Sequence, residues 1–453
     1  MLREHFYLKK GFLGSVLAIT LPIALQNVIS LGVNLMDTVM LGQLGDVAIT
    51  AANLGGQPFS ILNILGFGLA SGASVLISQY WGKRDMERIR QLFALSLRAV
   101  LAAAALFTLV GLVCPRQVLW LFSSEPEVIE ASAQYFQVLS LSFLFFSFSN
   151  CYIMCLRAVE KVKISMLVYG TSFFVNVFFN YCFIFGNLGM PRMGVRGAAL
   201  GTVIARAYEC VFVLVYMCRV EKSVRFTPRW LLCAKSELLG DYARNSLPVT
   251  GNELLWGVGL SVTSAIIGRM SSQFVAASSI ANVVVNLITV FIFGMANATA
   301  VTIGRTIGEG RAKEARKMAN TLLAMSVALG AAVMFILLAV RRPVLGFFSV
   351  SDEARDIAYQ LLTILACLAP LQAFSTNLLV GVLRGGGDVR INFILDCGLM
   401  WAISIPLGIL GAFVWTLSAP VVFLLMRADY VLKFFLGLAR VKSGRWIRVV
   451  TRE

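Results

Sequence analysis

The chain has 453 residues, of which 58% are hydrophobic and only 14% charged, with a formal net charge of +16. A soluble domain carries about a quarter charged residues, and several apolar runs here exceed the roughly 20 residues that cross a bilayer. A soluble enzyme and a nucleic-acid-binding domain are therefore both excluded, because the basic residues sit in short hydrophilic loops and form no folded basic surface.

The charged head "MLREHFYLKK" precedes an apolar run of about 27 residues with no small-x-small cleavage site, which reads as a retained first span, not a signal peptide. In chain order, the pattern predicts twelve transmembrane helices at about 14–41, 50–79, 93–113, 135–157, 164–186, 197–217, 243–268, 276–304, 318–340, 357–383, 392–411 and 413–436. Counting Arg98, Arg157 and Arg244, which lie near span ends, with the adjoining loops, 29 of the 39 Lys and Arg residues fall on one side, 7 on the other and 3 inside spans. That bias puts both termini in the cytoplasm and requires an even number of spans.

The two halves repeat. At a shift of 226, Pro22 meets Pro248, Gly42 meets Gly268, Phe67-Gly68 meets Phe293-Gly294, Gly82 meets Gly308 and Arg90 meets Arg316. At a shift of 227, Asn150 meets Asn377 and Arg157 meets Arg384. Each half has six spans and starts inside, so the expected architecture is two six-helix lobes related by a pseudo-two-fold axis along the membrane normal. Residues 1–218 form the first lobe, 219–242 a cytoplasmic linker, and 243–453 the second lobe with a basic tail. Transporters of this build hold substrate between repeats.

Enzyme chemistry has little to work with. His5 is the one histidine, and the nine cysteines form no CxxC pair. Cys151 and Cys155 are spaced for contact on one helix face and read as apolar fillers. There is no GxxxxGK[ST] phosphate loop, and Gly385-Gly386-Gly387 reads as a tight turn. No cofactor is expected. Transport would run on an ion gradient.

Polar residues inside the spans carry the functional signal, because each is expensive in hydrocarbon unless it faces a cavity or a partner. Asp37 lies about 7 Å from Gly42 at the helical rise, within the apolar run "LGVNLMDTVMLGQLGD". Asn176 and Asn180 are spaced i, i+4, so both amides face one way on helix 5. Ala198 and Thr202 share a face of helix 6, where Ala198 permits close approach and Thr202 offers a hydroxyl. The amides can glue helices together or complete a hard-oxygen site with Asp37 and Thr202. Such a set suits a sodium ion; alternatively Asp37, partly desolvated, exchanges a proton itself. The repeat mates Thr263, Ile403 and Leu407 lack these groups, so ion coupling is expected in the first lobe.

Glu253, whose repeat mate is Asn27, is the second membrane acid and reads as a cation or proton site or as a packing carboxyl. With Asn150 it is also a candidate substrate contact. Asp396 reads as a residue near the cytoplasmic surface, and Arg206 and Glu209 as a neutralising i, i+3 pair. Phe143, Phe145, Phe146, Phe173, Phe174, Phe178 and Phe179 are candidates for lining a pocket for flat organic cations, with packing or lipid-facing roles as the alternative.

Taken together, "LPIALQNVISLGVNLMDTVMLGQLGD", "YWGKRD", "NVFFNYCFIFG", "GVRGAALGTVIARAYE" and "LPVTGNELLWG" resemble the multidrug and toxic compound extrusion (MATE) family over nearly the whole chain. The resemblance implies a V-shaped, two-lobe bundle in the plasma membrane that exports small organic cations in exchange for sodium or protons. It also implies a first-lobe cation site at Asp37, Asn176, Asn180 and Thr202, with Glu253 as the second-lobe acid, in a monomer. One departure is that span 357–383 lacks the acid some members carry there, which favours the first lobe. A flippase for lipid-linked sugars, built on a related bundle, is the alternative; it would need a basic cavity for phosphates. A membrane enzyme or receptor would need a catalytic cluster or a soluble domain.

Overall fold

The computed structural model describes residues 6, 7, 9, 11–233, 236–346, 348 and 350–452, among which helix is the only regular element. His5 lies outside these residues. Every predicted span has its helix: α1 (Phe12–Gly42), α2 (Asp46–Lys83), α3 (Met86–Val113), α4a (Pro126–Ser140) with α4b (Phe143–Ala158), α5 (Lys163–Phe185) and α6 (Val195–Val220). The second half continues with α7 (Leu239–Met270), α8 (Ser272–Gly308), α9 (Ala312–Leu345), α10 (Asp352–Leu383), α11 (Val389–Val414), and α12a (Ala419–Leu425) with α12b (Asp429–Ser443). Among the described residues, nine of these helices are long and apolar enough to cross a membrane, and α4 makes a tenth if its bent halves are one span. α7 is more polar, carrying Asp241, Arg244 and Glu253, and α12 is broken between its two parts.

Local chemistry sets the ends. Asp85, Ser271 and Ser351 accept hydrogen bonds from the backbone N–H groups of Arg88, Phe274 and Ala354, capping α3, α8 and α10. Gly186, in the left-handed conformation at φ 77°, ends α5. The 53° bend in α4 has a side-chain cause. Ser140 and Ser142 donate to the carbonyls of Gln137 and Leu139, and Thr108 donates to the Ser140 carbonyl.

By internal contacts the chain divides into two units. One comprises Leu25–Ile77 and Asp85–Thr250; the other Met1–Ala24, Ser78–Arg84 and Gly251–Glu453. The first has an apolar core containing Leu41, Leu62, Phe136, Phe143 and Ile184. The second is built around Phe274, Leu361, Leu365, Val422 and Phe423.

Within the second unit the C-terminal segment is strapped down. Trp446 is fully buried, with its ring against Gly386, where any Cβ would collide. The Gly385-Gly386-Gly387 turn is thus also the seat of a tryptophan. The Arg448 N–H donates to the Gly386 carbonyl, and Gln79 bonds the backbone of both Arg448 and Val450. Buried Asp388 pairs with Arg440 at 2.7 Å and Arg448 at 3.1 Å.

Candidate functional site

A cavity of about 620 Å³ opens within the first unit and is lined by Asp37, Asn150, Asn176, Thr202, Arg206 and Glu209, among others. Its walls come from α1, α2, α4, α5 and α6.

Three of the residues singled out by sequence, Asp37, Asn176 and Thr202, line the cavity, and a fourth, Asn180, bonds to two of them from behind the wall. The Asn180 side-chain amide donates to an Asp37 carboxylate oxygen at 2.5 Å and to the Asn176 carbonyl oxygen at 3.2 Å. The Asn176 amide in turn donates to the Thr202 hydroxyl at 3.5 Å. Helical spacing aligns Asn176 with Asn180, and both are buried while Asp37 is half-buried. Asp37 pairs with no basic group among the described residues. The Asn180 Oδ1 is buried and accepts no hydrogen bond. It faces Gly201, where a Cβ would strike that oxygen, so the site needs glycine at this position. Sequence reasoning missed Gly201; its signal is only that it precedes Thr202.

Ala198 is not one of the polar residues: it is buried in the apolar core with Leu41 and Ile184 and lets α6 pack closely. Asn150 lines the cavity and accepts from the Tyr169 hydroxyl at 3.1 Å. Arg206 and Glu209 form the expected ion pair at 2.9 Å, with Ser172 donating to Glu209 at 2.7 Å. The pair lines the cavity, and the Arg206 guanidinium lies 4.8 Å from the Phe146 ring centre. Arg157 lines the cavity too and donates to Gln26. Of the seven phenylalanines considered, only Phe146 lines it. Phe143 is core, and Phe174 and Phe178 are exposed on the helix surface.

Glu253 belongs to the second unit. It accepts from Arg384, whose side chain is 3% exposed. The repeat shows here: Arg157 and Arg384 are equivalent positions, and each reaches back to the first helix of its own half, one to Gln26 and the other to Glu253. Asp396, near the start of α11, is half-buried and bonded to Lys433 at 2.8 Å and Asn252 at 2.9 Å. Lys433 also pairs with Asp429 at 2.6 Å, and Ser404 donates to Asp429 at 2.9 Å. Asp429 and Lys433 are one helical turn apart on α12b, whereas Asp396 and Ser404 come from α11, so only the Asp429–Lys433 spacing is announced locally.

Chemically, the cavity wall offers a carboxylate outside any ion pair, the Asn176 amide and the Thr202 hydroxyl, with Asn180 holding the carboxylate from behind the wall. No cluster of three or more His, Cys, Asp or Glu side chains able to hold a metal exists among the described residues. Hard neutral oxygens around a single negative charge suit a monovalent cation or a proton better than a divalent metal.

The chain is similar to a protein named probable multidrug resistance protein NorM from Thermotoga maritima, with 23% identity over 97% of this chain and 94% of that one. Among solved structures it resembles a MATE protein in complex with MaL6, with TM-score 0.86 and 20% identity over 95% of this chain and 96% of that one. A second is a MOP superfamily transporter from Pyrococcus furiosus, described as having a binding pocket of reverse polarity that suggests a different function, with TM-score 0.85 and 21% identity over the same shares. The MatE family profile matches residues 22–182 and 248–428, most of both halves. This all-α, polytopic membrane protein belongs to the MatE family of transporters.

Proposed function

We propose that the protein is a cation-coupled antiporter that exports small organic cations by alternating access, with sodium or protons as the driving ion. The observation that carries this reading is the unpaired Asp37 in the cavity wall, bonded to Asn180 beside an orphan oxygen. Asn176 and Thr202 extend the same set, and Gly201 leaves room for it.

Charge balance supplies the coupling. The cavity is lined by two acids, Asp37 and Glu209, and two bases, Arg157 and Arg206. With Asp37 ionised these cancel. Sodium or a proton on Asp37 leaves one net positive charge, which disfavours an organic cation in a low-dielectric enclosure. Cargo and coupling ion then exclude one another, which is the linkage an antiporter needs. Phe146, Tyr135 and Tyr169 offer aromatic surface to a flat cation.

In this reading residues 1–218 and 243–453 act as the two lobes, with 219–242 between them. The protein works as a monomer in the plasma membrane with both termini cytoplasmic, in keeping with the basic-residue bias. Glu253, held by Arg384, orders the second lobe and is not the primary ion carrier.

The cavity arginines favour one rival: export of an anionic head group, as in a lipid-linked sugar flippase. Glu209 neutralises Arg206 and weakens that rival. Reconstitution decides between them. In proteoliposomes, a sodium or pH gradient is expected to drive ethidium transport. Movement of a fluorescent lipid-linked phosphosugar, with no ethidium transport under either gradient, would overturn the proposal.

A further inference from the structure

A second cavity, about 580 Å³, lies on the surface of α5 and α6 and shares no residue with the first. Its walls are apolar: Leu167, Val211, Phe212, Val215 and Val220, with Lys163 the one charged residue. Leu167, Val211, Val215 and Val220 are each at least half exposed, so no other part of the described chain covers it. From Tyr208 to Val220 the lined stretch of α6 runs about 18 Å at the helical rise.

The shape has a backbone cause. Over Tyr216–Val220, α6 leaves ordinary helical bonding for wider i→i+5 turns, which are frequent at functional sites. Tyr216 and Val220, the two ends of that widened stretch, both line the groove.

That end is basic. Lys163 lines it, Lys161 lies two residues before, Arg219 is inside the widened turn, and Lys222 follows Val220. All four are exposed, and none pairs with a carboxylate among the described residues. The neighbouring Glu221 is buried, and its carboxylate accepts from the backbone N–H groups of Ser223, Val224 and Arg225. An open apolar channel with uncompensated positive charge at one end is complementary to an amphiphile with an anionic head.

We propose that this groove holds one acyl chain of an anionic membrane phospholipid, with its phosphate on Lys163 and the neighbouring basic residues. The site is independent of the Asp37 cavity and of the antiport reading.

Native mass spectrometry of the delipidated full-length protein tests it, with phosphatidylglycerol and phosphatidylcholine of identical chains as probes. Wild type is expected to retain one phosphatidylglycerol about fivefold or more over phosphatidylcholine. Val215→Trp, which fills the groove from an exposed position, should abolish retention of that lipid. Lys163→Gln should lower the phosphatidylglycerol preference towards parity. Equal retention of the two lipids by wild type would overturn the proposal. So would an unchanged preference in Lys163→Gln, which decides the matter even if Val215→Trp misfolds.

Discussion

Asn180 donates its side-chain amide to Asp37 across 143 residues of sequence, which ties α5 to α1 at the wall of the cavity. The bond fixes the carboxylate but leaves the Asn180 Oδ1 without a hydrogen-bond partner. That oxygen lies against Gly201 of α6, so the same amide also sets how closely α5 and α6 pack.

Gly201→Ala is predicted to damage coupling while sparing the fold. The new methyl would displace the Asn180 oxygen, whereas alanine itself favours helix. Dependence of substrate binding on sodium or pH should weaken about tenfold, with an unchanged melting temperature. Intact coupling in this variant would show that the Asn180 oxygen is not part of the site.

Arg384→Met should strand the Glu253 charge in a mostly buried place. The expected loss is about 3–5 kcal/mol of stability. Adding Glu253→Gln removes that charge and should recover much of it, as a thermal melt in detergent would show. If Glu253→Gln alone instead abolished ion-driven transport without loss of stability, the acid would be a carrier and not a scaffold.

Trp446→Ala should loosen the C-terminal strap. Loss of a fully buried tryptophan costs about 3–5 kcal/mol. Limited proteolysis should then cut after Ser443 much faster than in wild type. Unchanged protection would mean that the hydrogen bonds from Gln79 and Gly386 suffice on their own.

Glu309, just beyond α8, sets a pH expectation. Burial pushes its carboxyl upwards, but hydrogen bonds and charge from Arg311 and Arg305 outweigh that and hold it below its ordinary value of 4.5. An acid depressed in the folded state contributes stability above its unfolded value, lost as pH falls through the folded one. Glu309→Gln should therefore melt lower than wild type at pH 7, and the gap should close below pH 4.5. A gap that persisted in acid would show that packing, not charge, holds this turn.

How much of this was legible in the sequence depends on the range of each interaction. Asp37, Asn176, Asn180 and Thr202 stand out because each is a polar residue in an apolar run, and helical spacing alone pairs the two asparagines. Gly201 does not, since glycine in a helix carries no mark of what lies against it. In the Asp396–Lys433–Asp429 network the i, i+4 spacing of Asp429 and Lys433 is legible, but Asp396 joins from another helix, which no local spacing marks. The α4 bend was hidden for a different reason: no proline marks it, and the serines that cause it look like ordinary small residues. Trp446 sits in a basic stretch, and nothing local to it marks its contact with Gly386.

On the proposed mechanism Asp37 makes cargo and coupling ion mutually exclusive. Ethidium fluorescence titrations on the purified protein, with and without saturating sodium and across pH 5–8, measure this directly in wild type and Asp37→Asn. The account predicts that sodium or acid weakens ethidium binding at least about tenfold in wild type. It also predicts that Asp37→Asn binds weakly throughout and responds to neither. If the variant kept the wild-type response, Asp37 would not be the coupling group.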